Sequence, residues 1–248
     1  AAGLAALAFS LGAQAAVPSA WWVDVVNDRQ SNVRQQLSQG ADPNALNDEY
    51  LPTLMLAIRT GAWGVYDALL ADRRTQIEIQ NAHGETPLMY LALLGETERA
   101  AALIARGAQL NRLGWTPLHY AASRGQTETA DLLLKQGALI HAPAPDGTTP
   151  LMMAARSGSR ETVQLLLDHG ADATAVNLNK NTAADWARER RHTRLADELD
   201  EIARRTLARR EGRIEPEVVP EAAKPATEAP ATGGGSRYFD LKRFETQD

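Results

Sequence analysis

Five histidines, four methionines and no cysteine bound the chemistry that this 248-residue chain can perform. The absence of cysteine excludes disulfides, thiolate zinc sites and cysteine nucleophiles. The histidines (His83, His119, His141, His169 and His192) form no His-x-x-x-His pair and no cluster with carboxylates at metal-ligand spacing. Three of the methionines, Met55, Met89 and Met152, fall at one position of a recurring frame. A methionine row of that kind suits a soft metal such as copper, yet methionine is also an adaptable filler of apolar gaps, and that second reading is adopted. The chain contains no Gly-x-Ser-x-Gly elbow, phosphate-binding glycine loop or His-Glu-x-x-His motif. No catalytic, metal or cofactor residue is therefore assigned, and a non-enzyme is expected.

The elements that hold these residues repeat. Aligned on Leu118 of "GWTPLHYAASRG", the same position recurs at Leu54, Leu88 and Leu151, and then as Ala184. Three residues later stands a small or apolar residue (Ala57, Leu91, Ala121, Ala154, Ala187), and seven residues later a glycine in the middle units (Gly61, Gly95, Gly125, Gly158). Twelve residues further comes Gly-Ala, at 107–108, 137–138 and 170–171. Threonine is a good N-cap and proline suits the first helical position, so Thr-Pro begins a helix. The glycine seven past the leucine ends it, and a second apolar helix such as "TADLLLKQG" comes next and stops at the following glycine. Each such unit buries only part of its apolar surface until it stacks on neighbours, so end units should differ. They do: Asp28 replaces the mid-unit glycine of the first, and Ala184 the leucine of the last.

Two units break the period. Arg73 stands where the second unit should have its helix-stopping glycine, and the stretch between Gly107 and Thr116 is short, which truncates its hairpin. Beyond the last unit, Leu195, Leu199 and Ile202 line one helical face, with the pairs Arg194/Glu198, Asp200/Arg204 and Glu201/Arg205 on the solvent side of a capping helix.

The motifs "GETPLMYLALLG", "GWTPLHYAASRG" and "GTTPLMMAARSG", with the trailing "LLLxxGA", resemble the ankyrin repeat. The resemblance extends over about residues 18–205 and implies an all-α solenoid of about six helix-turn-helix units with projecting hairpin loops. It further implies that His119 hydrogen-bonds back to the helix-start threonine and to neighbouring hairpin backbone. Its functional implication is a concave surface of hairpins and first helices that takes a protein partner.

Outward first-helix positions are the two residues before each mid-unit glycine; they include Arg59, Leu93, Leu94, Arg124 and Arg156. Consecutive leucines at 93 and 94 in solvent-facing positions would mark an interface. Hairpin positions add Tyr50, Leu51, Leu113 and Trp115, the last a large aromatic suited to anchoring a partner. One apolar patch of Tyr50, Leu51, Leu93, Leu94, Leu113 and Trp115, flanked by Arg59, Arg124 and Arg156, is the expected protein-binding site.

Net charge is −5, which argues against a nucleic-acid or anionic-membrane surface. Residues 1–16 carry no charge and combine a short apolar run with the small-x-small site Ala13-Gln14-Ala15, the pattern of a secretory signal peptide without its basic start. The corresponding expectation is export to a periplasm, with no membrane insertion after cleavage and a monomeric product. The repeat domain is placed at 17–205 and a disordered linker rich in Pro, Ala, Glu and Gly at 206–236. The segment 237–248, with Tyr238, Phe239, Leu241 and Phe244, is either a docking helix or an inert end. The functional expectation is a cell-envelope module that scaffolds or protects an exported enzyme, or an immunity-type inhibitor. A cytoplasmic interaction protein and an enzyme with residues in the groove are the rival readings.

Overall fold

The computed structural model describes residues 17–212, so the expected signal peptide at 1–16, most of the expected linker and the segment 237–248 lie outside the described residues. Among the described residues twelve helices occur in pairs. The first of each pair are α1 (Trp21–Val26), α3 (Thr53–Thr60), α5 (Pro87–Leu94), α7 (Pro117–Ser123), α9 (Pro150–Ser157) and α11 (Ala183–Glu189). Their second helices are α2 (Gln30–Ser38), α4 (Trp63–Ala71), α6 (Thr97–Ala105), α8 (Thr127–Lys135), α10 (Arg160–Asp168) and α12 (Thr193–Arg210). Among the described residues the sole extended pairing is an isolated antiparallel bridge between Leu46 and Pro52. The chain forms two compact units, one ending at Ala82 with α1 to α4 and one beginning at His83 with α5 to α12.

In the first unit, α1 packs on α2 and α3, and α4 on α2 and α3. Trp21 takes the leucine position of the end repeat and is fully buried, its indole N–H donating to Thr53 Oγ1 at 3.2 Å. Asp24 stands where later units carry a small apolar residue. Its buried carboxylate accepts from Arg29 (3.1 Å), Asn32 (3.2 Å) and Gln36 (2.7 Å). Burial alone would raise its pKa; the bonds from Asn32, Arg29 and Gln36 outweigh that and hold the carboxyl below its usual range. Asp28, in the glycine position, adopts a left-handed φ of 51°. Its carboxylate accepts from Gly64 N–H (3.2 Å) and Val65 N–H (2.7 Å), capping α4.

Arg73 does not disturb the second repeat, because α4 stops at Ala71 without a glycine. Asp72 accepts from the Arg74 amide (2.9 Å) and guanidinium, and Arg74 reaches on to the Leu37 carbonyl at 3.0 Å. The Arg74 hydrogen bond holds the Asp72 carboxyl below the usual carboxylate range. A charged clamp thus performs the stop that glycine performs in other units.

In the second unit, α5, α7, α9 and α11 pack side by side, and α6, α8 and α10 form a second row. Leu103, Leu133, Leu166 and Leu199, each fifteen residues past the first-helix anchor position, are fully buried or nearly so. Burial of each contributes about 1.5–3 kcal/mol. Hydroxyl pairs stitch the second row together, Thr97 to Thr129 at 2.6 Å and Thr127 to Thr162 at 2.7 Å. The capping helix keeps Leu195 and Leu199 buried, with Ile202 packed on the same core. Its expected ion pairs hold for Arg194–Glu198 (3.4 Å) and Glu201–Arg205 (2.7 Å). Asp200 instead pairs with Arg188 at 2.6 Å, and Arg204 turns to Glu201. The closest carboxylate to each guanidinium is set by the α11–α12 packing as well as by helical spacing.

Candidate protein-binding surface

The position after Thr-Pro-Leu resolves the role of the histidine and the methionines together. At the start of α5, Met89 N–H donates to Thr86 Oγ1 while Thr86 N–H points at the Met89 thioether, both at 3.4 Å. Thr149 and Met152 repeat the arrangement at α9. At α11 the carboxylate of Asp185 accepts from Thr182 N–H at 2.9 Å, and Thr182 Oγ1 accepts from Asp185 N–H at 3.2 Å. At α7 the acceptor is an imidazole: His119 Nδ1 lies 3.2 Å from Thr116 N–H and 2.9 Å from its hydroxyl. Nε2 then carries the proton and donates to the Thr148 carbonyl at 3.1 Å, in the hairpin of the next repeat. Three side-chain chemistries perform one task, a reciprocal N-cap. Burial holds the His119 imidazole at a pKa of about 4, against weaker opposing contributions from the Thr148 carbonyl and Asp146. It is a neutral structural group, and among the described residues no cluster of three or more His, Asp or Glu is placed to hold a metal.

Nine residues were expected to form the binding patch; Tyr50, Leu51 and Arg59 belong to the first unit and the other six to the second. In the first unit Tyr50 is 67% exposed, at a hairpin tip with a left-handed φ of 57°. Its counterparts four residues before the anchor position are Gly84, Gly114, Gly147 and, in the last unit, Lys180, which is left-handed too at φ 62°. Leu51, by contrast, is only 3% exposed and belongs to the core, which corrects its assignment to the surface. Glu85 and Thr148, at the same three-before-anchor position, are buried as well, while Trp115 there is half-buried and Asn181 exposed. Arg59 is paired with Glu49 at 3.0 Å across the start of its own unit.

In the second unit the neighbouring leucines part company. Leu94 is 41% exposed, whereas Leu93 is 2% exposed and packs in the core cluster with Met89, Leu118 and Tyr120. Successive residues of a helix point about 100° apart, so a pair at the helix end does not share a face. Gln126 also covers this turn, donating to the Leu93 carbonyl at 3.2 Å. Leu93 is therefore withdrawn from the surface. Leu113 is 53% exposed on the short hairpin. That hairpin is held to both neighbours, by Arg112 to the Gly84 carbonyl (2.9 Å) and by Asn111 to Gly137 and Leu139 (2.9 and 2.8 Å).

Trp115 is half-buried. It packs on the core and meets the His119 ring edge-on at 5.2 Å, so part of its surface serves the stack. Arg124 is exposed at the C-terminal end of α7, and Arg156 in the last turn of α9 lies over the Trp186 ring at 5.4 Å. Leu113 and Trp115 thus sit at the N-terminal end of α7, and Leu94, Arg124 and Arg156 at the C-terminal ends of α5, α7 and α9. One seven-residue helix, about 10 Å, separates the two groups. Missing from the expected patch is Leu178, the most exposed apolar side chain described at 77%, with Val176 close by. Both lie in the hairpin before α11, where an apolar residue at a projecting tip was the available signal.

Short helix pairs, the middle four with glycine-terminated first helices, projecting hairpins and no assembled reactive cluster among the described residues define a repeat scaffold for binding. The family model "Ankyrin repeats (3 copies)" matches residues 54–144 and 138–201, more than half of the chain, and the protein belongs to the ankyrin-repeat family. Ankyrin repeats generally serve protein–protein interaction, which makes a protein the expected partner. No curated protein matches the chain. Among the described residues no helix is long and apolar enough to cross a membrane.

Proposed function

We propose that this protein is a non-enzymatic binding module of the cell envelope that captures another protein through its hairpins and first helices. The observation that carries the reading is the division of labour within the second unit. Thr116, Pro117, Leu118 and His119 are wholly consumed in building and bridging repeats, while Leu94, Leu113 and Arg124, at positions that build nothing, remain exposed. Export rests on the uncharged apolar run within residues 1–16. A scaffold or protector of an exported enzyme and an immunity-type inhibitor would use the same surface.

The test is capture from periplasmic extract followed by mass spectrometry, with the native chain and the variants Leu94→Asp and Leu113→Asp in parallel. Both substitutions fall on exposed side chains and should leave the fold intact. A partner captured by the native chain and lost by at least one variant supports the reading; a partner held equally by all three removes this surface. N-terminal sequencing of the exported protein tests localisation, since an intact leader on a cytoplasmic product overturns export.

A further inference from the structure

In the second unit the hairpins before α7, α9 and α11 stand in one row. A Cβ added at Gly114 would lie 3.6 Å from Pro145 Cγ, and one added at Gly147 would lie 3.3 Å from Asn177 Cα. Leu178 N–H donates to the Asp146 carbonyl at 2.8 Å, which joins the last two hairpins directly. The last hairpin is also fixed where it begins. There α12, which runs to Arg210 and so past the 205 that the periodicity suggested, donates from Arg210 to Asp172 (3.0 Å) and Thr174 (2.9 Å). Leu113, Pro145 and Leu178 are exposed along this row on backbone that is already held, so little ordering opposes their burial by a partner.

At the other ends of the same first helices stand Arg124, Arg156 and Arg190. Arg124 and Arg190 are exposed, and no carboxylate among the described residues is paired with either. Among the described residues at these helix ends Glu189 is the one carboxylate. At the hairpins Asp146 is occupied by the N–H and hydroxyl of Thr148 (3.0 and 2.9 Å), while Lys180 is exposed. Cations thus prevail along both rows of a chain whose net charge is −5, and the face they border is complementary to an acidic partner. The two rows lie one seven-residue helix apart, about 10 Å, which matches the width of an α-helix with its side chains, about 10–12 Å. Neighbouring first helices pack about 8–10 Å apart, and seven residues of a helix rise about 10.5 Å. A helix laid along the stack therefore brings every seventh residue opposite successive repeats. An extended strand fails on both counts. It covers only about 5 Å of width, and the three residues that rise about 10 Å turn successive contacts to opposite faces.

We propose that the two rows border a seat for an acidic amphipathic α-helix of a partner protein. An apolar residue at every seventh position of that helix meets Leu113, Pro145 and Leu178, and a parallel row of carboxylates meets Arg124, Arg156 and Arg190. The inference rests on the proposed binding surface and names the chemistry of what it takes. Exposed ion pairs are individually weak, so the apolar row supplies affinity and the arginines fix register and direction.

The probe is a synthetic peptide of three identical heptads with Leu first, Glu fifth and Ala or Gln elsewhere, so that the Leu and Glu rows lie side by side on one helical face. Its fluorescence anisotropy is read against the full chain, beside a scrambled peptide of the same composition that lacks this face. The heptad peptide should bind saturably, and the scrambled one at least about tenfold more weakly. Leu178→Asp, and Arg124→Glu combined with Arg190→Glu, should each weaken the heptad peptide by about tenfold. A peptide with Lys in place of Glu should regain affinity for the charge-reversed chain alone. Absence of saturable binding, or equal binding of the heptad and scrambled peptides, overturns the seat without recourse to any variant. So does binding that the variants leave unchanged while circular dichroism shows them folded. Peptides that fail while Leu113→Asp still loses a captured partner remove the helix and leave the binding surface. A captured partner held equally by the native chain, Leu94→Asp and Leu113→Asp removes the surface whatever the peptides do.

Discussion

His119 joins two repeats by itself: its Nδ1 takes the N–H of Thr116 in its own helix start, and its Nε2–H donates to the carbonyl of Thr148 in the next. The side chain is completely buried and its pKa is depressed to about 4, so it is neutral in the folded protein. In the unfolded chain it titrates near 6.5. A group whose folded pKa is lowered in this way binds its proton preferentially in the unfolded state as pH falls. Stability from this site is complete above about pH 6.5, drains between about 6.5 and 4, and changes little further below. Between about pH 7.5 and pH 4.5 the expected loss is about 2.5 kcal/mol. His119→Met, the residue at the same position in α5 and α9, should remove that part of the pH dependence. Urea titrations of both proteins at the two pH values measure it, and equal losses would discard the assignment.

Asp24 predicts a loss of the same sign in the first unit, displaced to a more acidic window. Its folded pKa is depressed as a carboxylate, so its contribution is present above the ordinary Asp range and disappears only as pH falls through the lower folded value. It therefore adds a constant increment between about pH 5 and 8. Asp24→Ala strips an acceptor from Arg29, Asn32 and Gln36 and should cost about 2–3 kcal/mol across that range. Loss of amide protection should concentrate in α1 and α2. An unchanged unfolding midpoint would contradict the network.

Two left-handed glycines separate backbone strain from packing. Gly125 has φ 67°, and a Cβ added there would lie 2.7 Å from Ser159 Cβ; Gly137 has φ 94° with nothing within 4 Å. Gly137→Ala should cost about 1 kcal/mol, the backbone penalty alone. Gly125→Ala carries the same penalty plus displacement of the α10 start and should cost about 2–3 kcal/mol. Chemical denaturation of the pair gives the difference directly, and equal costs would show that the close approach relaxes freely.

Tyr50 holds a left-handed backbone at a tip where three of its four counterparts are glycines and the fourth is Lys180. Tyr50→Gly should stabilise the first unit by about 1 kcal/mol through relief of that conformation, less some unfolded-state entropy. If Tyr50 is retained for contact, the stabler variant should also bind the captured partner more weakly. Unaltered binding would reduce Tyr50 to a tolerated substitution.

Trp115 is a poorer probe of binding than its sequence position suggested. Half-buried against the core and the His119 ring, it should cost about 1–2 kcal/mol on truncation to Ala whether or not a partner touches it. Leu113→Asp, on an exposed side chain of the same hairpin, isolates recognition from stability.

Nearly all of the helix plan was legible in the sequence, because its signals act over short range. Thr-Pro starts, left-handed glycines seven residues past the four middle anchors and the apolar spacing of the second helices all operate within one unit, and a periodic pattern repeats the evidence several times. The all-α ankyrin class comes from these alone. Tertiary structure decided which side chains remain at the surface, since that depends on what the neighbouring repeat lays over each position. Leu51 and Leu93 were lost to the core in this way, Trp115 was half lost, and Arg59 was paired with Glu49. Side-chain contacts supplied substitutes where the repeat signals failed: within a unit the Asp72–Arg74 clamp in place of a glycine and the hydrogen-bonded carboxylate of Asp24 at an apolar position, and between repeats the Asp28 cap on α4. Local rules write the repeat, and contacts between repeats choose the face it leaves exposed.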